Sequence, residues 1–302
     1  MDDIVEKINT LRRELNAVIL SHNYQRPEIQ DIADYVGDSF GLSVQAMKID
    51  SNIIIFSGVD FMAESAKVLN PEKKVILPNP EAKCPMAAMI DAEGLRRLKD
   101  EHPDAKVVAY VNTSAEVKAE SDICCTSTNA VKVVRGVKEK KVIFVPDENL
   151  GLYIQRFVPD KEFIFWPGYC PTHADIKKEA LLGLKELHPE AEIIVHPECR
   201  PEVIDIADHT YSTEGMINYA RKSSSKEFII GTEREHAYRL KRATGKTFYV
   251  PEKAVCPSMK KNELSDILRS LERLEPEVDL SHEVLEKAKV PLDRMVQIGR
   301  GD

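Results

Sequence analysis

The sequence predicts an α/β protein made of three similar three-layer α/β/α domains, each with its own core and a short parallel sheet, around a pseudo-threefold axis. Apolar runs of strand length alternate with helical stretches along the chain, which is the pattern of parallel βαβ units. Residues of the same type also return after 86–88 positions, which indicates that one module occurs three times. A chain of 302 residues is long enough for several cores.

A cysteine followed by proline marks the repeat most clearly. Cys84, Cys170 and Cys256 each precede a proline, and both intervals between them are 86 residues. Sets of first-strand, carboxylate and hydroxyl residues follow nearly the same interval: His22, Tyr110 and His196; Asp34, Asp122 and Asp208; Ser39, Ser127 and Thr213; Asp60, Asp147 and Glu233. We therefore expect domains at residues 1–86, 87–172 and 173–258, with C-terminal helices in 259–302 packing back on the first domain.

The order of elements is expected to be the same in each domain. Apolar runs predict three strands per domain, at 18–20, 53–56 and 75–77, then 107–110, 142–145 and 163–165, then 193–195, 228–230 and 248–250. Helices over 92–101 and 179–187 are each closed by a His-Pro pair, because the residue before proline disfavours helix. In the tail we expect helices over 262–274 and 281–289, the second capped by Ser281 and ending before Pro291.

The periodic polar residues follow the carboxyl ends of the predicted strands. Ligands of parallel α/β sheets bind beyond those ends. Three sheets around one axis would turn these residues and all three Cys-Pro sites toward a common centre, so the repeat predicts a single central cavity. The acidic residues after the central strands, Asp60, Asp147 and Glu233, are expected to orient loops or cap helices.

The three Cys-Pro cysteines favour a metal over a disulfide framework, because three equivalent thiols leave one unpaired. Zinc in a structural site usually takes a fourth protein ligand, whereas an iron–sulfur cubane with three cysteine ligands leaves one iron open to substrate. Buried cysteines acting as small hydrophobic residues are the simpler alternative, but they explain the equal spacing poorly. Cys124, Cys125 and Cys199 fit no periodic set and are interpreted as buried thiols.

Several polar residues at these positions could bind a ligand. The pentapeptide Ser-His-Asn-Tyr-Gln contains His22, and histidine ordinarily titrates near neutrality. Ser39, Ser127 and Thr213 stand at expected helix starts, where a hydroxyl can cap the helix and, with free N–H groups, bind an anion. Glu198 is the carboxylate among the first-strand motifs and could act as a general base.

Composition narrows the classes of function. A net charge of −8 gives no basic footprint for nucleic acid, and charges of both signs are mixed along helical faces. The chain is 43% hydrophobic and has no apolar run near the roughly 18 residues of a membrane span, so no membrane association is expected. The N-terminus lacks the apolar core of an export signal, which predicts a cytoplasmic, reducing location.

Seven motifs occur together along the chain: Ser-His-Asn-Tyr-Gln at 21–25, Gly-Asp-Ser at 37–39, Tyr-Val-Asn at 110–112, Cys-Thr-Ser at 125–127, Val-His-Pro-Glu at 195–198, Ser-Thr at 212–213, and the three Cys-Pro sites. In this order and spacing they resemble the quinolinate synthase family, the A protein of bacterial and archaeal NAD biosynthesis. The likeness covers nearly the whole chain.

The resemblance implies condensation of iminosuccinate (iminoaspartate) with dihydroxyacetone phosphate, with loss of phosphate and two waters, to give quinolinate. It implies one 4Fe-4S cluster with an open, Lewis-acidic iron and three ligands, Cys84, Cys170 and Cys256. It implies Glu198, Tyr24 and His196 as catalytic residues. The implied substrate contacts are His22, Ser39, Tyr110, Asn112, Ser127, His196, Glu198 and Thr213. A transient contact with the enzyme that supplies iminosuccinate is also implied.

Three other functions stay open on the sequence. The chain could be an iron–sulfur hydro-lyase acting on a hydroxy acid, or a cluster-containing sensor or electron carrier without catalysis. It could also be a repeat protein stapled by zinc. A sensor would have little use for three hydroxyl-bearing anion sites, and metal analysis distinguishes a zinc protein from an iron–sulfur protein.

Overall fold

The structure is a computed structural model that describes residues 2–301. Its strands form three four-stranded sheets in which every pairing is parallel. The first sheet contains β1 (Ala17–His22), β2 (Tyr35–Gly37), β3 (Ile53–Ser57) and β4 (Lys74–Ile76). The second contains β5 (Ala105–Tyr110), β6 (Ile123–Cys125), β7 (Lys141–Val145) and β8 (Glu162–Phe165). The third contains β9 (Glu192–Val195), β10 (His209–Thr210), β11 (Glu227–Gly231) and β12 (Thr247–Tyr249).

Helices connect and flank these strands. The α-helices are α1 (Asp2–Glu14), α2 (Pro27–Ile32), α3 (Ser39–Lys48), α4 (Asp60–Leu69), α5 (Ala92–Glu101), α6 (Ala115–Ala119), α7 (Ala130–Gly136), α8 (Glu148–Gln155), α9 (Pro171–Ala174), α10 (Lys178–Leu187), α11 (Pro201–Ile204), α12 (Thr213–Lys222), α13 (His236–Thr244), α14 (Leu264–Arg273) and α15 (His282–Ile298). Two short 3-10 turns, Ala87–Met89 and Met259–Lys261, follow the first and third Cys-Pro sites.

The three sheets have the same topology. Their strand orders are β2-β1-β3-β4, β6-β5-β7-β8 and β10-β9-β11-β12, so the first strand of each unit always lies between the second and third. This confirms the predicted α/β class with three similar parallel sheets. The pseudo-threefold axis and the limits of the domains stay predictions.

The nine predicted strands are all present, but each sheet has one strand that the sequence did not reveal. These strands are β2, β6 and β10, which are two or three residues long and lie at an edge of their sheets. A segment of two or three residues is too short to show a strand periodicity or an apolar run. The additional strands therefore became visible only in the structure.

One carboxylate contact recurs in all three units and fixes the chain just before each short edge strand. The carboxylates accept backbone N–H groups of the first strand at 2.8–2.9 Å, in the pairs Asp34–Ile19, Asp122–Val107 and Asp208–Ile193. The backbone N–H of each aspartate donates in return to the carbonyl of the same strand residue. The first periodic set of acids is therefore structural, and it supports the three-unit repeat.

The two tail helices are present, but the second is longer than predicted. Ser281 caps α15 as expected, accepting a backbone hydrogen bond at 3.3 Å. The helix then continues through Pro291 to its end, so the prediction that it stops there was wrong. Pro291, Leu292 and Met295 are buried, and this burial offsets a helix cost that is about 3 kcal/mol for proline.

The tail helices pack on different neighbours. α14 packs against α1 and β3 of the first unit. α15 packs against α6 and β6 of the second unit and against α4 of the first. The last helix therefore lies against both units and not against the first alone.

The hydrophobic core is divided unevenly among the units. Phe56 of the first sheet, Phe144 of the second and Met295 of α15 belong to one continuous cluster of buried side chains. The third unit has two separate clusters, one around Val195 and one around Phe228. An independent core in every unit was expected. The first unit does have a separate cluster around Ile19 and Ile55, but the largest cluster spans the first and second units because α15 packs against both.

Within residues 2–301, no helix combines the length and the apolarity that crossing a bilayer requires.

We predict that Asp208→Ala lowers the free energy of unfolding by about 1–2 kcal/mol, because it leaves the Ile193 N–H without its carboxylate acceptor. Urea denaturation would measure the change. Asp279→Ala, which removes an exposed carboxylate, is the matched control and should stay within about 0.5 kcal/mol of the parent. Equal effects of the two substitutions would show that the recurring contact does not stabilise the fold.

Candidate active site

One central cavity collects every site residue that the sequence predicts. Residues of all three units line it: His22, Tyr24, Ser39, Cys84, Tyr110, Asn112, Ser127, Cys170, His196, Glu198, Thr213 and Cys256. Apolar side chains such as Phe61 and Met259 complete the wall. The structure therefore brings together residues that are more than two hundred positions apart in the chain.

The parallel sheets explain why these residues meet. His22 is the last residue of β1, Tyr110 is the last residue of β5, and His196 follows β9 directly. Since the strands of each sheet run in the same direction, the loops that follow them emerge at one edge. The three edges face the cavity.

The three hydroxyl residues are placed differently from what capping would require. Asp38 and Ser212 are the N-caps of α3 and α12, so Ser39 and Thr213 are the first residues inside those helices. Ser127 lies before the start of α7 and caps nothing. All three hydroxyls line the cavity and are not used as caps. Next to Ser39 and Thr213, backbone N–H groups at a helix start favour an anion.

Exposure separates the periodic cysteines from the others. Cys84, Cys170 and Cys256 are partly exposed and line the cavity. The other three, Cys124, Cys125 and Cys199, are fully buried, as the sequence suggested. The structure describes all six as free thiols.

Each periodic cysteine precedes a helical turn, and N–H groups of that turn face its sulfur. The N–H three residues later does so in every unit, in the pairs Cys84–Ala87, Cys170–His173 and Cys256–Met259. Burial raises the pKa of each thiol, while these N–H groups lower it because they favour a negative sulfur. The three sulfurs therefore share one kind of polar environment.

The acids after the central strands hold the cysteine loops. Asp60 Oδ1 accepts a hydrogen bond from Cys84 N at 2.9 Å, and Glu233 Oε1 accepts one from Cys256 N at 3.3 Å. In the second unit Asp147 caps α8. Its carboxylate interacts more weakly with the backbone N–H of Cys170. These residues orient loops and cap a helix, as the sequence suggested.

This donor set fits an inorganic group held by three thiolates. The three sulfurs face one cavity, each with N–H donors of the kind that tune iron–sulfur ligands, and no fourth cysteine lines the cavity in the described chain. A second donor group overlaps this set. The ligand atoms of Cys170, His173 and Glu198 lie within 4.8 Å of one another and could hold a single metal ion.

Glu198 is the centre of the polar network in the cavity. Its carboxylate accepts hydrogen bonds from the Tyr110 hydroxyl and from His173 Nδ1, the latter at 2.8 Å. Burial alone would raise the pKa of Glu198, but the facing imidazoles and these hydrogen bonds lower it. Burial, with the Glu198 charge second, raises the pKa of Tyr110 and Tyr24 well above the usual value. The site therefore holds an ionised carboxylate beside protonated phenols.

A chain of hydrogen bonds connects Tyr24 to Glu198. The Tyr24 hydroxyl lies 2.6 Å from Thr232 Oγ1, which lies 2.8 Å from His173 Nε2. Because Nδ1 of His173 donates to Glu198, its Nε2 accepts from Thr232, and Thr232 accepts from Tyr24. Every donor in this chain has an acceptor, and each hydrogen bond points from Tyr24 toward Glu198.

His22 and His196 have the same local geometry. In each, the backbone N–H two residues later donates to Nδ1, at 3.2 Å for His22 and 3.3 Å for His196. Burial lowers the pKa of His22 to about 4 and that of His196 to about 3, so both are neutral at pH 7. Their Nε2 atoms therefore carry the protons, and that of His196 meets Ser127 Oγ at 3.2 Å.

Two residues of the network were not predicted from the sequence, His173 and Thr232. His173 stands three residues after Cys170, in the turn whose counterparts face the other periodic sulfurs. Thr232 directly precedes Glu233 of the third periodic acidic set. Position within the repeat was the signal that could have found both.

We predict that stability falls as the pH drops below about 6.5, because unfolded histidine binds a proton there and buried histidine does not. Burial lowers the pKa of His236 to about 3, and its Nε2 lies 3.0 Å from the Thr213 carbonyl. His236→Gln keeps an N–H donor and cannot titrate. Urea unfolding at pH 7.5 and at pH 5, about one unit above and one and a half units below that threshold, should show a smaller loss for the variant. An equal loss would contradict the assignment.

Comparisons with known proteins agree on one family. The family model described as quinolinate synthetase A protein matches residues 6–297. The chain is 54% identical over 298 residues to the quinolinate synthase of Methanosarcina barkeri, covering 98% of each chain. It is 52% identical over 304 residues to that of Sulfurihydrogenibium sp. (strain YO3AOP1), covering 98% of this chain and 99% of the relative. The chain therefore belongs to the quinolinate synthetase A protein family.

Proposed function

We propose that this chain is a quinolinate synthase, which condenses iminosuccinate with dihydroxyacetone phosphate to quinolinate, with loss of phosphate and two waters, in NAD biosynthesis. The family membership and the names of the relatives support the activity. The observation that carries the proposal is the cavity itself, where three periodic thiols face an ionised carboxylate and three hydroxyls.

Cys84, Cys170 and Cys256 would hold one 4Fe-4S cluster. Their partial exposure to the cavity and the N–H groups that face their sulfurs support this assignment. When bound, a cluster with three protein ligands supplies a Lewis-acidic iron with an open position. The protein supplies the rest of the chemistry through its own side chains.

Neutral donors would bind the carboxylates and the phosphate of the substrates. Ser39, Ser127 and Thr213 offer hydroxyls, and those of Ser39 and Thr213 stand beside backbone N–H groups at helix starts. His22 and His196 would offer Nε2–H groups. The buried Oδ1 of Asn112 has no hydrogen-bond partner within residues 2–301, which is consistent with a polar group of the substrate meeting it.

Glu198 and Tyr24 would move protons. An ionised Glu198 can accept a proton from the substrate, and the protonated phenol of Tyr24 can donate one, while the hydrogen bonds through Thr232 and His173 orient both groups. His196 was assigned a catalytic role from the resemblance. Its Nδ1 is occupied by the backbone N–H of Glu198, so we assign it the orientation of substrate through Nε2–H.

Enclosure in the cavity would protect the imine. Glu198 and His196 are only 3% exposed, so bulk water has little access to the groups that face the reacting atoms. Exclusion of water limits hydrolysis of a reactive intermediate. We also propose a cytoplasmic location and a transient contact with the enzyme that supplies iminosuccinate.

We predict that anaerobically purified, cluster-loaded protein forms quinolinate from iminosuccinate and dihydroxyacetone phosphate, measured by chromatography. Glu198→Gln should keep its iron and sulfide and lose at least about a hundredfold in turnover, because the proton acceptor is removed. Glu190→Gln, an exposed carboxylate of the same unit, is the control and should keep full activity.

Absence of quinolinate with intact clusters would favour the rival iron–sulfur hydro-lyase. Near-normal activity of Glu198→Gln would remove this residue from the mechanism. A sensor or electron carrier should bind no small dicarboxylate such as malate.

We predict that Cys170→Ser abolishes the intact cluster and leaves the fold in place, because the thiol contacts the cavity and serine has nearly the same size. Iron and sulfide quantitation under anaerobic conditions measures the cluster, and circular dichroism measures the fold. Cys199→Ser changes a fully buried thiol outside the cavity and should keep its iron and sulfide. A full complement in Cys170→Ser would defeat the ligand assignment, and zinc in the parent protein would favour the zinc-stapled repeat.

A further inference from the structure

A polar junction connects the three units directly beside the proposed substrate hydroxyls. Thr128 Oγ1 lies 3.1 Å from Asp38 Oδ2 and 3.1 Å from Ser212 Oγ. These residues are the immediate chain neighbours of Ser127, Ser39 and Thr213, in that order. Asp38 and Ser212 are also the N-caps of α3 and α12. The junction therefore sets the relative positions of the three hydroxyls.

Arg300, near the C-terminus, binds this junction. Its Nη1 and Nη2 donate to the two oxygens of Asp38 at 3.0 and 2.8 Å, which is a bidentate ion pair. Its guanidinium also lies over the Phe40 ring, 5.3 Å from the centroid. The residue is thus held both by charge and by an aromatic face.

Arg300 and its neighbouring backbone are packed closely against residues of the first and second units. A Cβ on Gly41 would lie 2.9 Å from Arg300 Nη2 and 2.9 Å from Asp38 Oδ1, so a side chain there would displace the ends of both ion-pair partners. A Cβ on Gly301 would lie 2.8 Å from the Thr128 carbonyl. The preceding backbone is fixed by Lys132 Nζ, which donates to the Ile298 carbonyl at 2.7 Å. These contacts fix the position of the segment that contains Arg300.

Asp38 places a negative charge beside the hydroxyls that are proposed to bind anionic substrates, and Arg300 compensates this charge. Asp38 is 7% exposed and lines the cavity beside the hydroxyls proposed to bind carboxylate and phosphate. None of the described residues that line the cavity is a lysine or an arginine, while both Asp38 and Glu198 are carboxylates. An uncompensated charge on Asp38 would repel an anionic substrate strongly at low effective dielectric.

We propose that Arg300 is a positioning residue for the substrate site, which neutralises Asp38 and holds the junction so that the hydroxyl triplet accepts anionic substrates. The proposal rests on the proposed function, because it requires that the substrates be anions. Arg300 acts from behind the cavity wall, through Asp38, and does not line the cavity itself.

Steady-state kinetics of the cluster-loaded full-length protein test the proposal. Arg300→Ala should raise the KM for dihydroxyacetone phosphate roughly tenfold or more and lower kcat much less, because substrate binding is weakened and the proton-moving groups are untouched. Arg300→Lys keeps the charge without the bidentate geometry and should recover part of the affinity. Arg294→Ala, on the same tail and exposed, is the matched control and should leave KM unchanged.

A double substitution tests whether Arg300 acts by compensating the charge of Asp38 or only by packing. Asp38→Asn removes the carboxylate and keeps a side-chain acceptor suited to an N-cap. In the Asp38→Asn background, adding Arg300→Ala should change KM less than about threefold, because position 38 no longer carries a negative charge for Arg300 to compensate. Iron and sulfide content and thermal melting of every variant show whether the cluster and the fold are intact.

The outcomes distinguish this proposal from the proposed function. If the parent protein makes no quinolinate, the proposed function fails. If the parent is active and Arg300→Ala has an unchanged KM, the role of Arg300 is overturned. An effect of Arg300→Ala that is equally large with Asp38→Asn would also overturn charge compensation. Loss of affinity only in the variant with Asp38 intact supports it.

Discussion

Parallel strand pairing is the constraint on which this molecule depends. Each unit must place its second strand beside its first without a long hydrophobic run to guide it, and one aspartate does this in every unit. The Asp34, Asp122 and Asp208 carboxylates bind the backbone of the first strand, and the same residues return a backbone hydrogen bond. The carboxyl ends of the three sheets are then free to carry the residues of the cavity.

The chemistry of the cavity follows from burial. Burial keeps His22 and His196 neutral, so these residues present N–H donors and add no positive charge. Glu198 stays ionised because His173 and Tyr110 donate to it. The cavity therefore combines one ionised carboxylate, Glu198, with many neutral donors, and Arg300 behind its wall forms an ion pair with its other carboxylate, Asp38.

The sequence predicted the class of fold and the periodic members of the cavity, because periodic residues in a repeated module must occupy equivalent places, whereas Tyr24 and Asn112 followed from the family resemblance. It could not reveal β2 or β10, since two or three residues carry no period. It misjudged Pro291, because the burial that keeps α15 helical is a property of packing. The repeat places His173 three residues after Cys170, but its hydrogen bond to Glu198 depends on a distance that the sequence does not give.

The anchoring of the cysteine loops has a consequence for the life of the protein. Asp60 and Glu233 bind the backbone N–H groups of Cys84 and Cys256, so carboxylates of the same units hold these loops whatever the thiols carry. If these thiols hold the proposed cluster, a molecule that loses it to oxidation would keep these cysteine loops in place. Restoring the proposed cluster would then need only iron and sulfide delivered to the folded chain, without unfolding.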